Sequence, residues 1–493
     1  MYSSRGFQEW EIGDVEVHVH EGVYHLFHLI IPNHDYIAHA VSRDGITWKR
    51  TKNAFFVGDP GAWDDDMLWT MDVNQSDGRF EMFYTGLALK DKGVNQKIGM
   101  AVSEDLTHWT KVSQEDTLIE SKAPFYEDLS NNPREWLSFR DPYRYDHDGE
   151  TYLLICARAS HGPVSRRGCV GLYKKVGNQF LPEPPLLLPL VYDDIECPCV
   201  FELEGKFYLI GSIREDIKVR YWRADDFKGE YLSYHHDVLL PQGNYAARIV
   251  KDGDHLLIYN FYFQNRQVNS KRLLPPPKEL MVDKKGRLRL KSFYRWETMV
   301  TKTYRQFEFS SPKRLFSNNT SKFDSIDGKW IMSSRSGYEL FVAQKPSESF
   351  IWEGIITMEG MGKCGLVLDM DEDGNGYFIS FDFISGYVEI RNWGFNPEDV
   401  KNNFIFKNLQ ANQFKPRKGD YSLHFKLIRY GSYIEFSIDG EIKLTLIDFS
   451  NHEKYMGLYT CSAQLSLEQS IIKELPTPKD EYASEESHEV HFH

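Results

Sequence analysis

Runs of apolar and aromatic residues that alternate with polar residues recur five times in the N-terminal part of the chain, each after an acidic or polar turn containing glycine. The five copies are HEGVYHLFHL, SDGRFEMFYTG, HDGETYLLICA, LEGKFYLIGSI and KDGDHLLIYNF, with turn glycines Gly22, Gly78, Gly149, Gly205 and Gly253. A glycine between two such runs is typical of a β-hairpin. Several short strands in each of five repeats predict a β-propeller with five blades.

The C-terminal part alternates apolar and polar residues at period two, with turn residues between the runs, as in YSLHFKLIRYGSYIEFSIDGEIKLTL. This pattern favours a β-sandwich. We therefore predict an all-β protein, a five-bladed β-propeller followed by a C-terminal β-sandwich. The predicted boundaries are 1–295 for the propeller, 296–320 for a connection, 321–477 for the sandwich and 478–493 for a flexible acidic tail.

The register of the repeats places acidic residues at matched positions. Counting back eight residues from each turn glycine gives Asp14, Thr70, Asp141, Cys197 and Tyr245, and Glu196 is one residue further back. If the strand that enters each hairpin is the innermost strand of its blade, three blades begin that strand with an acid. Acids are poor strand formers, so Asp14, Asp141 and Glu196 are candidates for a function at the propeller axis.

Composition and charge exclude several classes of protein. Lys and Arg number 58 against 72 Asp and Glu, which gives a net charge of −14 and argues against a nucleic-acid partner. No run approaches the roughly 18 to 20 apolar residues of a membrane span, so we expect a soluble protein without a membrane partner. The first residues, MYSSRGFQEWEIGD, lack the apolar stretch of a signal peptide, which predicts a cytoplasmic location.

We expect neither a cofactor nor a metal. The six cysteines lack a CxxC pair, so they indicate neither a zinc site nor a disulfide scaffold. The stretch DMDEDGNG, residues 369–376, resembles the first half of a calcium loop, but position 12 of the loop is Ser380. We interpret this stretch as a hairpin turn.

Three converging carboxyl groups indicate glycoside hydrolysis. One carboxyl group protonates the leaving oxygen, and a second attacks the anomeric carbon or activates water. A third can bind sugar hydroxyls and stabilise the oxocarbenium-like transition state. Arg140 lies next to Asp141, and aromatic residues make up 14% of the chain. This pattern predicts a carbohydrate substrate.

Several blocks, in order, resemble glycoside hydrolase family 32 and the wider five-bladed propeller superfamily that includes family 43. FRDPYRYDHDG is similar to the family's Arg-Asp-Pro block, and ECPCVFELEGKFYLI to its Glu-Cys block. Three further segments resemble those of the family in residue type and follow the same order: HAVSRDGITW, FYTG and RLLPPPKELMVDKKGRLRL. The last block is similar to the segment that joins the family's propeller to its β-sandwich, so the resemblance covers nearly the whole chain.

The resemblance implies a role for each acid. Asp14 corresponds to the nucleophile, Asp141 to the transition-state-stabilising aspartate and Glu196 to the general acid/base, while Arg140 corresponds to the arginine that binds sugar hydroxyls. At the nucleophile the family pattern is Trp-Met-Asn-Asp-Pro-Asn-Gly, whereas this chain has WEIGDVEV with a spacing closer to family 43. We expect the additional acid, Glu16, on the face away from the sugar pocket.

LWTMDV occupies the place of the family's aromatic-Ser-Gly-Ser stretch. There Trp69 is a candidate for stacking on a sugar, with packing between blades as the alternative, and Asp72 is a candidate for binding a hydroxyl group. The resulting prediction is a retaining glycoside hydrolase of terminal β-fructofuranosides, of fructan or sucrose type, acting as a monomer or homodimer. The alternatives are an arabinofuranosidase-like or other furanosidase, with either retention or inversion, and a non-catalytic carbohydrate-binding protein.

Overall fold

The computed structural model describes residues 2, 11–113, 118–234, 237–264, 271–360, 362–395, 403–416, 421–450 and 452–478. The chain folds as two compact units that divide between Arg289 and Leu290. Within the described ranges, helix is limited to three short 3₁₀ turns, at Leu89–Asp91, Val164–Arg166 and Tyr294–Met299. Among the described residues, no helix has the length and apolar character needed to cross a lipid bilayer.

The first unit consists of five separate antiparallel sheets of four or five strands. Its strands are β1 (Glu11–His20), β2 (Val23–Ile31), β3 (Tyr36–Ser42), β4 (Lys49–Arg50), β5 (Phe55–Phe56), β6 (Met67–Ser76), β7 (Arg79–Leu87), β8 (Lys97–Ser103), β9 (Trp109–Lys111), β10 (Phe139–His147), β11 (Glu150–Arg158), β12 (Gly168–Val176), β13 (Gln179–Leu187), β14 (Glu196–Leu203), β15 (Lys206–Ile213), β16 (Lys218–Ala224), β17 (Val238–Leu240), β18 (Asn244–Asp252), β19 (His255–Gln264), β20 (Lys271–Leu273), β21 (Lys278–Val282) and β22 (Leu288–Ser292). In each sheet the main strands follow chain order as a meander, with β5 also paired to β3 and β20 to β19, which confirms the prediction of five blades.

The first strands of the five blades form a closed ring. β1, β6, β10, β14 and β18 each contact the next in that cyclic order, and β18 contacts β1. Between blades lie hydrophobic clusters that draw on two neighbouring sheets. Phe27 and Met82 belong to the cluster between blades 1 and 2. Phe83 and Leu153 belong to the cluster between blades 2 and 3, and Leu154 and Leu209 to the one between blades 3 and 4. Aromatic and aliphatic side chains of the repeats thus serve mainly to pack blade against blade.

The five glycine turns connect the first and second strands of each blade, as predicted. In the first four blades the turn glycine follows an acid, and both residues have positive φ, as in Asp77 (51°) and Gly78 (80°). This is the conformation of a type I′ turn, which matches the twist of antiparallel strands. In blade 5 the turn is formed by residues 253–254, so the glycine comes first, and the count of eight residues is displaced by one.

Each first strand carries a β-bulge close to the position that the register predicted. The pairing with the second strand shifts at residues 13–14, 70, 141–142, 197–198 and 246–247. In blades 3, 4 and 5 the bulge residues Asp141, Cys197 and Ala246 have φ of 59°, 49° and 51°. Residues other than glycine rarely adopt this conformation, which costs of order 1–3 kcal/mol and is concentrated at functional sites. The bulges re-aim side chains at one end of the ring.

The second unit is a sandwich-like sheet of thirteen strands, which confirms the all-β prediction for this part of the chain. Its strands are β23 (Lys302–Arg305), β24 (Lys313–Arg314), β25 (Ser321–Ile326), β26 (Lys329–Gln344), β27 (Ser349–Glu359), β28 (Lys363–Met370), β29 (Gly376–Asp382), β30 (Tyr387–Phe395), β31 (Phe404–Gln413), β32 (Ser422–Tyr430), β33 (Tyr433–Ile438), β34 (Glu441–Ile447) and β35 (Tyr455–Glu474). The long strand β35 pairs with β23, β26, β27 and β28.

The two ends of this sheet, β31 and β34, are joined by side-chain amides. Gln410 donates from Nε2 to the Thr445 carbonyl at 2.9 Å and accepts from the Thr445 N–H at 2.7 Å. The sheet is therefore nearly closed around its core. The DMDEDGNG stretch forms the hairpin turn between β28 and β29, where Asp371 Oδ1 accepts from the N–H groups of Asp373 and Asn375 at 2.9 and 2.8 Å.

The observed division of the chain differs slightly from the predicted boundaries. The units divide after Arg289, close to the predicted end of the propeller at residue 295. Within the predicted connection 296–320, β23 pairs with β35 and β24 pairs with β26, so these residues contribute to the second unit. All but the first residue of the predicted tail, 478–493, lies outside the described residues.

Candidate active site

The three predicted acids lie at the bulged starts of three first strands. Asp14 belongs to β1, Asp141 to β10 and Glu196 to β14. Asp141 and Glu196 are buried, with relative exposures of 2% and 9%, and Asp14 is partly exposed. Strands far apart in sequence therefore bring three carboxyl groups to one end of the ring.

Cys197 joins two of the acids. Its N–H donates to Asp141 Oδ2 at 2.9 Å, and its Sγ lies 3.7 Å from both Asp141 Oδ2 and Asp14 Oδ2. The hydroxyl group of Thr70, at the bulge of blade 2, donates to Asp14 Oδ2. The Thr85 hydroxyl group accepts from the Asp141 N–H at 3.1 Å. The positions of Asp14 and Asp141 are thus held by contacts from neighbouring blades.

Glu196 is held at both carboxylate oxygens. Arg140 Nη2 donates to Oε1 at 2.8 Å, and the Tyr245 hydroxyl group donates to Oε2 at 2.7 Å. The exposed Arg214 lies with Nε 3.6 Å from Oε1. Burial and the neighbouring Glu196 raise the pKa of Tyr245 well above its ordinary value, so its hydroxyl group remains a donor.

Arg140 connects the acids with one another. Its Nη2 also donates to Asp194 Oδ2 at 3.0 Å, and its Nε lies 3.8 Å from Asp141 Oδ2. Its Nη1 has no hydrogen-bond partner among the described residues. A buried guanidinium beside three carboxylates balances part of their charge. The free Nη1 leaves donors for a ligand that enters the site.

Burial raises the pKa of both Asp14 and Asp141. For Asp14, the hydrogen bond from Thr70 acts in the opposite direction, while the charge of Glu196 adds to the increase. For Asp141, the Arg140 guanidinium lowers the pKa and the charge of Asp14 raises it. Two carboxyl groups this close titrate as a coupled pair. Asp14 and Asp141 therefore each keep a proton to a higher pH than an ordinary aspartate does.

Asp14, Asp141 and Cys197 form the one cluster of potential metal ligands found in the described part of the chain, with ligand atoms within 4.8 Å of one another. Burial raises the pKa of the Cys197 thiol well above its ordinary value. Because the thiolate is the form that binds a metal, a protonated Cys197 is a poor ligand. The arrangement suits carboxylate chemistry better than metal binding.

Neither of the remaining predicted residues, Trp69 and Asp72, forms a hydrogen bond with the three acids among the described residues. Trp69 is half-buried and packs near His34, with ring centroids 5.9 Å apart, and its Nε1 is buried without a hydrogen-bond partner among the described residues. Asp72 is buried, and its Oδ2 accepts from the Arg144 N–H at 2.8 Å and from Asn74. This placement favours a structural role for Asp72 over the predicted contact with a sugar hydroxyl.

Glu16 does not lie apart from the site, contrary to our expectation. It is buried, with Oε2 3.6 Å from Nε of Arg248, the buried arginine of β18. Along a regular strand, residues two apart share a face, so alternation from Asp14 itself argues against the predicted opposite face. Asp72 also belongs to this group, because the charges of Glu16 and Asp72 both influence Arg248.

The three acids and Arg140 were predicted from the sequence, whereas their partners were assigned no role. Thr70, Cys197 and Tyr245 all stood at the matched register position, which is the signal that could have identified them. The structure brings each of them into hydrogen-bond or close contact with an acid. Asp194 and Arg248 had no such signal, because neither stands at the matched register position.

We expect Thr70→Val to shift the acid side of the pH profile of kcat/KM to higher pH. The Thr70 hydroxyl group stabilises the ionised form of Asp14, so its loss raises the pKa of Asp14 further. A hydrogen bond to a charged group corresponds to about one pH unit. Thr85→Val is the matched control, because it removes a partner of the Asp141 backbone. Its acid limb, the acid side of the pH profile of kcat/KM, should lie closer to that of the wild type. An unchanged acid limb in Thr70→Val would show that ionisation of Asp14 does not limit the reaction.

Comparison with known proteins agrees with the geometry. The profile of the glycosyl hydrolases family 32 N-terminal domain matches residues 15–267. A levanase from Bacillus sp. (strain L7) is 36% identical over 152 residues, which cover 29% of this chain and 15% of that protein. The match thus spans much less than two thirds of the length of this curated relative.

Solved structures share the fold over nearly the whole chain. Sucrose-6-phosphate hydrolase from Lactobacillus gasseri aligns with a TM-score of 0.67 at 15% identity, over 95% of this chain and 91% of that one. Exo-inulinase from Aspergillus awamori aligns with a TM-score of 0.66 at 12% identity, over 97% and 98%. At such low identity these similarities establish the fold alone, while the profile match covers more than half of the chain. The chain belongs to glycosyl hydrolase family 32.

Proposed function

We propose that this protein is an exo-acting glycoside hydrolase that releases terminal β-fructofuranosyl units from fructans or sucrose-type substrates. The observation that carries the proposal is the convergence of Asp14, Asp141 and Glu196 at the bulged ends of three first strands. Two carboxyl groups across a glycosidic bond are the minimum for its hydrolysis. The third carboxyl group and the buried Arg140 provide contacts for the sugar ring.

In the proposed retaining mechanism, Asp14 attacks the anomeric carbon while Glu196 protonates the leaving oxygen. Glu196 then removes a proton from water, which attacks the same carbon and releases Asp14. The contacts of Glu196 with Arg140 and Tyr245 support this role, because they hold its carboxyl group in one orientation. Asp14 is the more exposed acid, as a nucleophile that must reach the substrate requires.

Asp141 and Arg140 are proposed to hold hydroxyl groups of the furanose ring. Hydrogen bonds to such hydroxyls strengthen in the transition state and supply several kcal/mol in glycosidases. Trp69 is proposed as a wall of the sugar pocket, with its half-buried ring as the stacking surface. Asp72 is not included, since its carboxylate is buried and hydrogen-bonded within the protein.

Fructosides are the substrate class that the relatives support. The curated relative is named a levanase, and the structural neighbours include a sucrose-6-phosphate hydrolase, a β-fructofuranosidase from Bombyx mori and an exo-inulinase. The alternative of an inverting furanosidase, such as an arabinofuranosidase, rests on the sequence around Asp14, where Gly13 and Glu16 replace the family's asparagines. A non-catalytic role is disfavoured, because all three acids are present and brought together.

A hydrolysis screen tests the proposal. The purified protein should release fructose from at least one of sucrose, inulin, levan and fructo-oligosaccharides, and not arabinose from aryl arabinofuranosides. Proton NMR of the first anomer formed should show retention. Release of arabinose alone, or an inverted first product, would favour the alternative furanosidase, and binding without any hydrolysis would favour the carbohydrate-binding protein.

We also propose a cytoplasmic location, with the protein acting as a monomer or homodimer. All six cysteines are free, and five of them are buried. Free cysteines fit a reducing compartment. Fractionation of cells, with the protein in the cytoplasmic fraction, is the expected result.

A further inference from the structure

Arg248 contacts the first strands of all four other blades. It lies in β18 with 1% of its surface exposed. Nη1 donates to the Pro198 carbonyl in β14 at 3.2 Å, and Nη2 donates to the carbonyls of Pro142 in β10 at 3.1 Å and Met71 in β6 at 3.4 Å. With Nε 3.6 Å from Glu16 of β1, one side chain reaches all five first strands.

The three carbonyl groups belong to the residues that directly follow active-site residues. Met71 follows Thr70, which binds Asp14, and Pro142 follows Asp141. Pro198 follows Cys197, which binds Asp141. A β-bulge disrupts the regular pairing of the strand, and a buried carbonyl group without a partner is costly. Arg248 provides partners for carbonyls at three bulges at once.

Two buried acids accompany the guanidinium. Glu16 and Asp72 are both buried, and burial raises the pKa of each while the charge of Arg248 lowers it. We call Arg248, Glu16 and Asp72 the axial cluster. Glu16 and Asp72 both stand at positions where the sequence differs from the family pattern that it resembles. An ion cluster is not needed for stability alone, because apolar residues of similar size often serve as well.

We propose that Arg248 is a positioning residue for the hydrolytic reaction, which holds the bulges of blades 2, 3 and 4 so that Thr70, Asp141 and Cys197 meet Asp14. Its charge has a second effect. It lowers the pKa of both Asp14 and Asp141, against the effect of burial. The proposal rests on the proposed function, because turnover is the measured quantity.

The pKa of Asp14 is influenced by charged groups from several strands. The charged or titratable groups that act on it are Asp141 on β10, Glu196 and Cys197 on β14, Arg248 on β18 and Arg272 on β20. Of these, Arg248 is the cation that also binds the bulges. Changing its charge and its hydrogen bonds separately therefore distinguishes the two effects.

The test compares Arg248→Gln with Arg248→Lys. Glutamine keeps a donor but removes the charge, so kcat should fall about 10-fold or more with KM changing much less, and the acid limb of kcat/KM should move to higher pH. Lysine keeps the charge but cannot reach three carbonyl groups as a planar fork does. The acid limb should then stay near wild type while kcat remains low.

The matched control is Arg429→Gln, which removes a buried arginine paired with Asp369 in the second unit. It should lower the melting temperature without moving the acid limb. If Arg248→Gln does not fold, the double variant Glu16→Gln/Arg248→Gln avoids an unpaired buried acid and should show the same shift. Wild-type kcat and an unchanged acid limb in a folded Arg248 variant would overturn the proposal. A wild-type protein that hydrolyses no substrate would instead refute the proposed function.

Discussion

Glu196→Gln should lower kcat by at least about 10²-fold and leave the fold intact, because general acid catalysis contributes about 10²- to 10⁴-fold in rate. The amide is close in shape to the carboxyl group but cannot donate its proton to the leaving oxygen. Its oxygen can still accept from Arg140, and the Tyr245 hydroxyl group can rotate to accept from the new NH₂ group. Initial rates on the substrate found in the screen measure the loss, and the melting temperature measures the fold.

Two comparisons separate acid catalysis from a general disturbance of the site. An aryl fructofuranoside has a better leaving group, so its hydrolysis by Glu196→Gln should fall much less than that of a natural substrate. Glu202→Gln makes the same chemical change at an exposed position of β14 and should behave as wild type. Equal losses for both substrates, or normal turnover in Glu196→Gln, would remove Glu196 from the acid/base role.

Asp14→Ala should lower kcat by about 10³-fold or more, since removal of a covalent nucleophile is among the largest losses that mutation causes. The substitution also leaves a space the size of a carboxyl group beside Thr70. A small external anion such as azide should enter this space and attack the anomeric carbon, while Glu196 still protonates the leaving group. The product should be fructosyl azide with inverted configuration, which NMR identifies.

Wild-type enzyme with azide is the control and should form fructose in preference to the azide product. Asp14→Asn fills the same space, so its turnover should be low and azide should rescue it much less. Rescue of Asp14→Ala that yields a product of retained configuration would contradict the nucleophilic role. Turnover of Asp14→Ala close to wild type would do so as well.

Much of the fold could be predicted from local signals. The acid-glycine pairs at Gly22, Gly78, Gly149 and Gly205 adopt the positive φ values of a type I′ turn, and this conformation depends on the two residues themselves. Counting back along an antiparallel hairpin then locates the opposite end of the first strand. The count failed by one residue only in blade 5, where the glycine is the first rather than the second residue of the turn.

The site was predicted less completely, because the hydrogen bonds that organise it join residues far apart in the chain. Asp14 and Glu196 were found as acids in register, but the contact of Thr70 with Asp14 joins blades 1 and 2, and that of Tyr245 with Glu196 joins blades 4 and 5. Glu16 was placed wrongly, because residues two apart on a strand share a face, and only the folded ring shows that Arg248 of blade 5 meets Glu16 there.

The number of blades, their hairpin turns and the positions of three acids could be predicted from residue types at short spacing. The groups that surround those acids depend on how the chain folds. Closure of the ring brings five first strands together, so that Cys197 lies between Asp14 and Asp141, Arg140 reaches Glu196 and Arg248 contacts every first strand. Burial in that ring raises the pKa of Asp14 and Asp141. Desolvation and charge coupling depend on distances in space, which a linear pattern of residues does not contain.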